Sequence, residues 1–302
     1  MRVTTSQLYD RPSLLMGNLS RQADQLQTQV ATGKRILTPS DSASGWQQLS
    51  GLKRAEADDG AYGANIKMAQ SLLAATDTAL EAVETQLQRA KAITVQAGSD
   101  TLTAEGRAAL KVEVDAIIAD LLGVVNAKDT RGQPLFGGAS GDTAYARQPD
   151  GSIAYAGQGD SAAIPVGDGV SIAATETGAR AFGGIQTSSG ESDMFAILSA
   201  LSAALQPGAE GGGVDEAMTN LDAALDQVGT ARTSVGARAF RMDLEAERLV
   251  DVDVTREATR SGIEDADVTT AIAELQKTLT ILQATQASFT KLTSMSLFDY
   301  LR

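Results

Sequence analysis

Histidine and cysteine are both absent from the 302 residues. Without them the chain has no thiol or imidazole nucleophile, no imidazole general base, and no thiolate or imidazole metal ligand. Positive charge is also short. Against 38 Asp and Glu stand 25 Lys and Arg, a net charge of −13. No basic cluster interleaved with aromatics relieves it, which argues against nucleic acid and against an anionic membrane surface. No apolar run of spanning length occurs, and the opening MRVTTSQLYDRPS has no apolar stretch of signal-peptide length. The expectation from these absences is a chain that is not an enzyme, needs no cofactor or metal, binds no nucleic acid and does not insert in a membrane. Lack of cysteine suits a reducing compartment and equally a chain that travels unfolded to an oxidising exterior.

Proline and glycine are few outside one region. Of 29 glycines and six prolines, 17 and four lie between Gly132 and Gly213. Both residue types punctuate turns and are unfavourable inside helices, so the middle reads as loop- and strand-rich between two helical arms. The 12 aromatics avoid the arms: none occurs from Gly63 to Leu135 or from Arg241 to Ser288. Helices packed by Ala, Leu, Val and Ile alone form slender pairs.

Leu15, Leu19, Leu26 and Val30 make a narrow stripe on a Gln/Ser/Thr-rich first helix. GKRILTPSDSASG ends it, with Pro39 biasing Thr38 away from helix and Ser40 or Asp41 available to cap the next. That next helix is expected from Ala43 to about Gly60, and a third from Ala64 to Ala97. In the third, Leu73, Leu80, Leu87 and Thr94 step by seven, as do Thr76, Val83, Ala90 and Ala97, the pattern of a coiled-coil seam. A fourth helix turns Leu110, Val114, Ile117, Ile118, Leu121 and Val125 inward. TAYARQPDGSIAYAG predicts a hairpin around Pro149-Asp150-Gly151, and residues 162–174 a second around Gly167-Asp168-Gly169. A short helix at Met194–Leu205 and a glycine loop lead to a long helix from about Asp215. There Val228, Val235, Met242 and Leu249 again step by seven, so the arms can zip together across the insertion. After Ser261–Asp267 a last stripe follows: Ile272, Leu275, Leu279, Leu282, Phe289 and Leu292. The acidic residues Glu264, Asp265 and Asp267 read as caps at a helix start rather than as a metal site.

The fold class is therefore mainly α, a long antiparallel helical coiled-coil bundle formed by N- and C-terminal arms, with a small β-rich insertion domain in the middle. Its expected parts are terminal helices (1–40 plus 265–302), a helical bundle (41–135 plus 192–264) and the insertion (136–191). A lone helix with a two-position stripe is marginal, and a two-helix unit remains thin. The terminal stripes therefore call for neighbouring copies, in a polymer or ring; a monomeric bundle with docked ends is the plain alternative.

The segments MRVTTSQLY, LQTQVATGKRILTPSDSASG, DTRGQPLFGG, SVGARAFRMDLEAERL, GIEDADVTTAIAELQ and SLFDYLR together resemble the flagellin superfamily and, within it, its hook–filament junction branch. The loop departs from the branch's usual Asp-Asp-Pro-Ala run, with Asp41-Ser42-Ala43-Ser44 and then Trp46. The resemblance implies a structural component of the bacterial flagellum, exported unfolded by a type III apparatus and resident outside the cell after a transient cytoplasmic stage. It implies an adaptor that adds to hook-associated protein 1, self-associates in a junction ring and presents a surface to flagellin, after a cytoplasmic export chaperone has held the chain. On this reading Leu15, Leu19, Leu26, Val30, Leu275, Leu279, Leu282, Phe289 and Leu292 are the assembly and chaperone-binding stripe. Pro39, Ser40 and Asp41 form the loop between layers. A short filament flagellin and, more distantly, a secreted coiled-coil adhesin are the alternatives.

Overall fold

A computed structural model of the chain describes residues 5–99, 102–139, 143–206 and 213–300, with side chains at 5–9 and 292–300 outside the description. Seven helices and three hairpins follow in the order α1 (Thr5–Thr32), α2 (Ala43–Ala97), α3 (Ala104–Val125), β1 (Tyr145–Arg147), β2 (Ile153–Tyr155), β3 (Ala163–Gly167), β4 (Val170–Ala173), α4 (Gly178–Phe182), β5 (Ile185–Thr187), β6 (Gly190–Ser192), α5 (Met194–Ala204), α6 (Gly213–Glu264) and α7 (Val268–Tyr300). They form two compact units, one of Met1–Ala57 with Asp251–Arg302 and one of Asp58–Val250.

The expected break between a second and third helix is not there: α2 runs unbroken through Gly60 and Gly63. Each helical glycine costs about 1 kcal/mol relative to alanine, too little to stop a helix of 55 residues rich in Ala, Leu and Gln. Gly63 lies against Leu249, where a Cβ would meet its Cδ2 at 3.4 Å.

In the unit Asp58–Val250, α2 and α6 run antiparallel. Lys91 pairs with Asp222, Arg232 reaches Asp77, Glu81 and Glu84 at 2.9, 3.1 and 3.1 Å, and Gln70 donates to Asp243 at 2.8 Å. Both seven-residue rows of α2 are buried, as are Val228, Val235 and Met242 of α6. The six inward residues expected on α3 are buried too, and α3 packs on α5, in which Ile197, Leu198 and Leu201 are buried. Exposed ion pairs contribute about 0.2–1 kcal/mol each. Register therefore comes from the ladder of charges, and stability from the apolar rows between.

The middle holds three separate two-stranded antiparallel sheets. In the first, Tyr145 pairs with Tyr155 and Arg147 with Ile153; in the second, Ala163 pairs with Ala173, with an irregularity between Pro165 and Gly167. The third, β5–β6, was not legible in the sequence, because its strands have three residues each and a single buried apolar side chain, Ile185. Isolated hairpins are marginal, and here the remaining order comes from an aromatic cluster. Phe136 meets Phe182 at 4.9 Å between ring centres, and Tyr145 lies 5.4 Å from Tyr155, 6.1 Å from Phe182 and 5.1 Å from Phe195. Gly178 lets these rings close: a Cβ there would stand 2.7 Å from Tyr145 Cε2. Buried Glu176 accepts from Arg238 of α6 and from Arg180 at 3.0 Å, while Arg238 also donates to the carbonyls of Ala173 and Thr175, each at 2.9 Å.

Candidate functional site: the terminal helix pair

In the unit of Met1–Ala57 and Asp251–Arg302, α1 packs on α7. A groove of about 250 Å³ is lined by Arg11, Pro12 and Leu15 from one helix and Thr285, Ser288 and Phe289 from the other. At the far end Ala266 donates its N–H to Gly33 O at 2.9 Å, so the helices are antiparallel. Pro12, Met16, Leu19, Ala23, Leu26 and Val30 alternate at spacings of four and three and are all buried or half-buried. Ala271, Leu275, Thr278, Leu282, Thr285 and Phe289 do the same on α7. These rows are an antiparallel coiled-coil seam.

The residues expected to form one stripe therefore divide. Leu19, Leu26, Val30, Leu275, Leu282 and Phe289 lie in the seam, whereas Leu15 is 51% exposed and Leu279 42% exposed. Leu292 lies outside the described side chains. Leu15 and Leu279 flank the seam, and other large apolar residues of the two helices are also left in water: Leu14 at 69% exposure, Ile272 and Ile281. Hydropathy alone merges the seam with its flanks, because a third of the seam is Ala and Thr. Ala23, Ala271 and Thr278 are buried members that no apolar stripe includes; their four-and-three spacing was the signal that could have found them. Small residues at alternate turns let the backbones approach, which leaves the larger Leu and Ile free to face outward.

The seam is closed at its base by a clasp that sequence reasoning missed. Gly33 leaves α1 with φ +70°, the left-handed conformation that favours glycine. The chain then turns so that Arg35 N–H donates to the Glu264 carbonyl at 2.6 Å, and Lys34 pairs with Asp265 in a short antiparallel bridge. Glu264 is not at a helix start as expected; it ends α6, buried, with Lys34 Nζ on its carboxylate at 2.7 Å. Asp265 accepts from Ser261. Of the three acidic residues only Asp267 caps a helix, accepting from the amides of Thr269 and Thr270 at 3.0 and 3.1 Å. The Thr270 hydroxyl and amide hold its carboxyl below the usual aspartate range.

The loop Pro39-Ser40-Asp41 is exposed. Neither Ser40 nor Asp41 caps α2; Ser42 does, accepting from Gly45 N–H at 3.1 Å. Asp41 reaches backward instead, taking the amides of Leu37 and Thr38 at 2.9 and 2.8 Å, and those two bonds, with the Thr38 hydroxyl, depress its pKa. A carboxylate bends this loop back on itself, because its two amides have no other partner once Pro39 has excluded helix.

Two chain ends brought together as one antiparallel helical pair, with large apolar side chains of that pair left in water, define a class of mainly helical chains whose termini fold together. The chain belongs to the bacterial flagellin family. The family's N-terminal helical region matches residues 4–140 and its C-terminal helical region residues 218–301. The chain is 26% identical over 316 residues to flagellar hook-associated protein 3 of Salmonella typhimurium, covering 99% of each. Among solved structures, a Vibrio parahaemolyticus protein assigned to the flagellar hook-associated proteins superposes with a TM-score of 0.68 at 21% identity, over 74% of this chain and 100% of that one. The flagellar junction protein FlgL of Legionella pneumophila superposes with a TM-score of 0.58 at 16% identity, over 72% and 100%.

Proposed function

We propose that the chain is a structural adaptor at the hook–filament junction of the bacterial flagellum. The carrying observation is the incomplete burial of the terminal pair, in which Leu14, Leu15, Ile272, Leu279 and Ile281 remain in water. Burying apolar surface is worth about 25 cal/mol per Å², so neighbouring subunits that cover these side chains gain what the monomer cannot. The match to a hook-associated protein along nearly the full length of both chains supports the junction over the filament itself.

On this reading the terminal helices (1–40 plus 265–302) form the inner layer, with the loop at Pro39, Ser40 and Asp41 leading to the helical bundle (41–135 plus 192–264). The insertion (136–191) faces outward. Copies of the chain meet one another in the ring, hook-associated protein 1 lies on one side and flagellin on the other. Before export an amphipathic α7 offers a cytoplasmic chaperone its spaced anchors. In cells carrying Leu15→Gln with Leu279→Gln, a well-folded secreted chain should leave hooks without filaments; normal filaments would sink the proposal.

A further inference from the structure

One side of the α2–α6 pair carries both a recess and a knob. In the unit Asp58–Val250 an open groove of about 300 Å³ runs between these helices, walled by Gln70, Ala74 and Asp77 of α2 and by Gly236, Ala239 and Asp243 of α6. Lys67 stands three residues before Gln70 and seven before Ala74, while Phe240 and Glu247 follow Gly236 and Asp243 by four. Helical spacing therefore sets all three on the groove side. Phe240 is 65% exposed, and Lys67 and Glu247 are exposed with it. The same side is bare at its glycines: nothing packs within 4 Å of the place a Cβ would take on Gly60, Gly229 or Gly236. Glycine without a packing reason is unfavourable inside a helix, and an exposed aromatic ring is the sort of anchor that interfaces bury.

Levels along the pair decide what this side fits. Gln70 donates to Asp243 at 2.8 Å and Gly63 lies beside Leu249, so Lys67 and Glu247 stand at one level on different helices, and Phe240 stands level with Ala74. Neither Lys67 nor Glu247 has an ion pair among the described residues, whereas Asp77, Glu81 and Glu84 are taken up by Arg232. A two-fold axis running along the groove lays α2 of one copy over α6 of another without changing level. Lys67 then meets Glu247 of the second copy, Phe240 meets the small Ala74, and each contact is made twice. A two-fold axis across the groove would set α2 on α2 and leave Lys67 without Glu247.

We infer that two copies of this chain dock through this side as a two-fold pair, with Phe240 of each entering the groove of the other beside Ala74 and the Lys67–Glu247 ion pairs fixing the register. Such an isologous contact uses the same surface on both copies and closes on itself, so it stops at two. The net charge of −13 on each chain opposes close approach, which makes the pair weak and dependent on concentration. Its surface is separate from the terminal helices, and it stands or falls independently of the junction role.

Sedimentation equilibrium of the full chain tests the pair, in a Leu15→Gln, Leu279→Gln background so that association through the terminal helices does not enter the mass. Between micromolar and millimolar concentration the mass should double and go no higher, and Phe240→Ser should hold it at the monomer. Lys67→Glu alone and Glu247→Lys alone each set like charges against one another twice, and both should be monomeric. Mixing these two variants should restore the doubled mass, because one then carries two negative and the other two positive charges at the crossings. A background chain that stays monomeric, a dimer that survives Phe240→Ser, masses beyond the dimer, or a mixture no heavier than its parts would each overturn the contact. Filament counts in cells carrying the terminal-helix substitutions read the junction role separately.

Discussion

Residues 58–250 carry 13 Lys and Arg against 26 Asp and Glu, whereas residues 1–57 with 251–302 carry 12 of each. The net charge of −13 therefore resides wholly in one unit, and the unit containing both chain ends is neutral. The cores differ as well. The charged unit closes an extensive core around the α2–α6 seam and the aromatic cluster, although Phe240 and Leu244 stay exposed; the neutral one leaves Leu14, Leu15 and Leu279 in solvent. Like charge keeps surfaces apart and soluble, so a layer meant for close packing of many copies is best neutral and apolar. A region that must stay folded and soluble alone can be acidic.

The comparison breaks most sharply if the charged unit is damaged from within. Arg238→Met leaves the buried Glu176 without its principal partner and should cost about 3–5 kcal/mol, seen as a large fall in the melting temperature of the monomer. Leu80→Ala, in the fully buried seam, should cost about 2–5 kcal/mol with the same readout. Leu279→Ala should change monomer stability by less than about 0.5 kcal/mol, as surface substitutions do, yet abolish assembly. Equal thermal penalties for Leu80→Ala and Leu279→Ala would erase the distinction between the units. Hydrogen exchange sharpens it further: amides of α1 and α7 should exchange well before those of α2 at Leu73–Leu87 in the monomer, and become protected on assembly. Smallest is the effect of acid. Asp41 and Asp267 have folded pKa values below the ordinary 3.8, so each contributes stability that is present above that value and is lost as pH falls through the depressed one. Carbon-13 titration of the two carboxyls should place both midpoints below 3.8.

Where leucine marks the seam, sequence alone suffices: the rows of α2 and the inward face of α3 are buried as the seven-residue spacing predicts. Legibility fails where small or polar residues do the packing. Thr278 and Ala23 carry no hydropathy signal, so an apolar stripe passes over them and takes in Leu15 and Leu279 beside the seam. Gly60 and Gly63 looked like a break because local propensity cannot register what 55 cooperating residues outweigh. Clasp residues Lys34 and Glu264 are 230 positions apart, and nothing local announces such a pairing.

That separation has a kinetic meaning. The pairs of the molecule are nested: Lys91 with Asp222 spans 131 residues, Arg232 with Asp77 spans 155, Gln70 with Asp243 spans 173, and the clasp spans 230. Loop closure costs more as the loop lengthens, but only logarithmically. Each inner pair, once made, shortens the loop that the next must close. Folding should thus proceed from the middle outward as a fastener is drawn shut, and the chain ends, last to be joined, are the first to come apart.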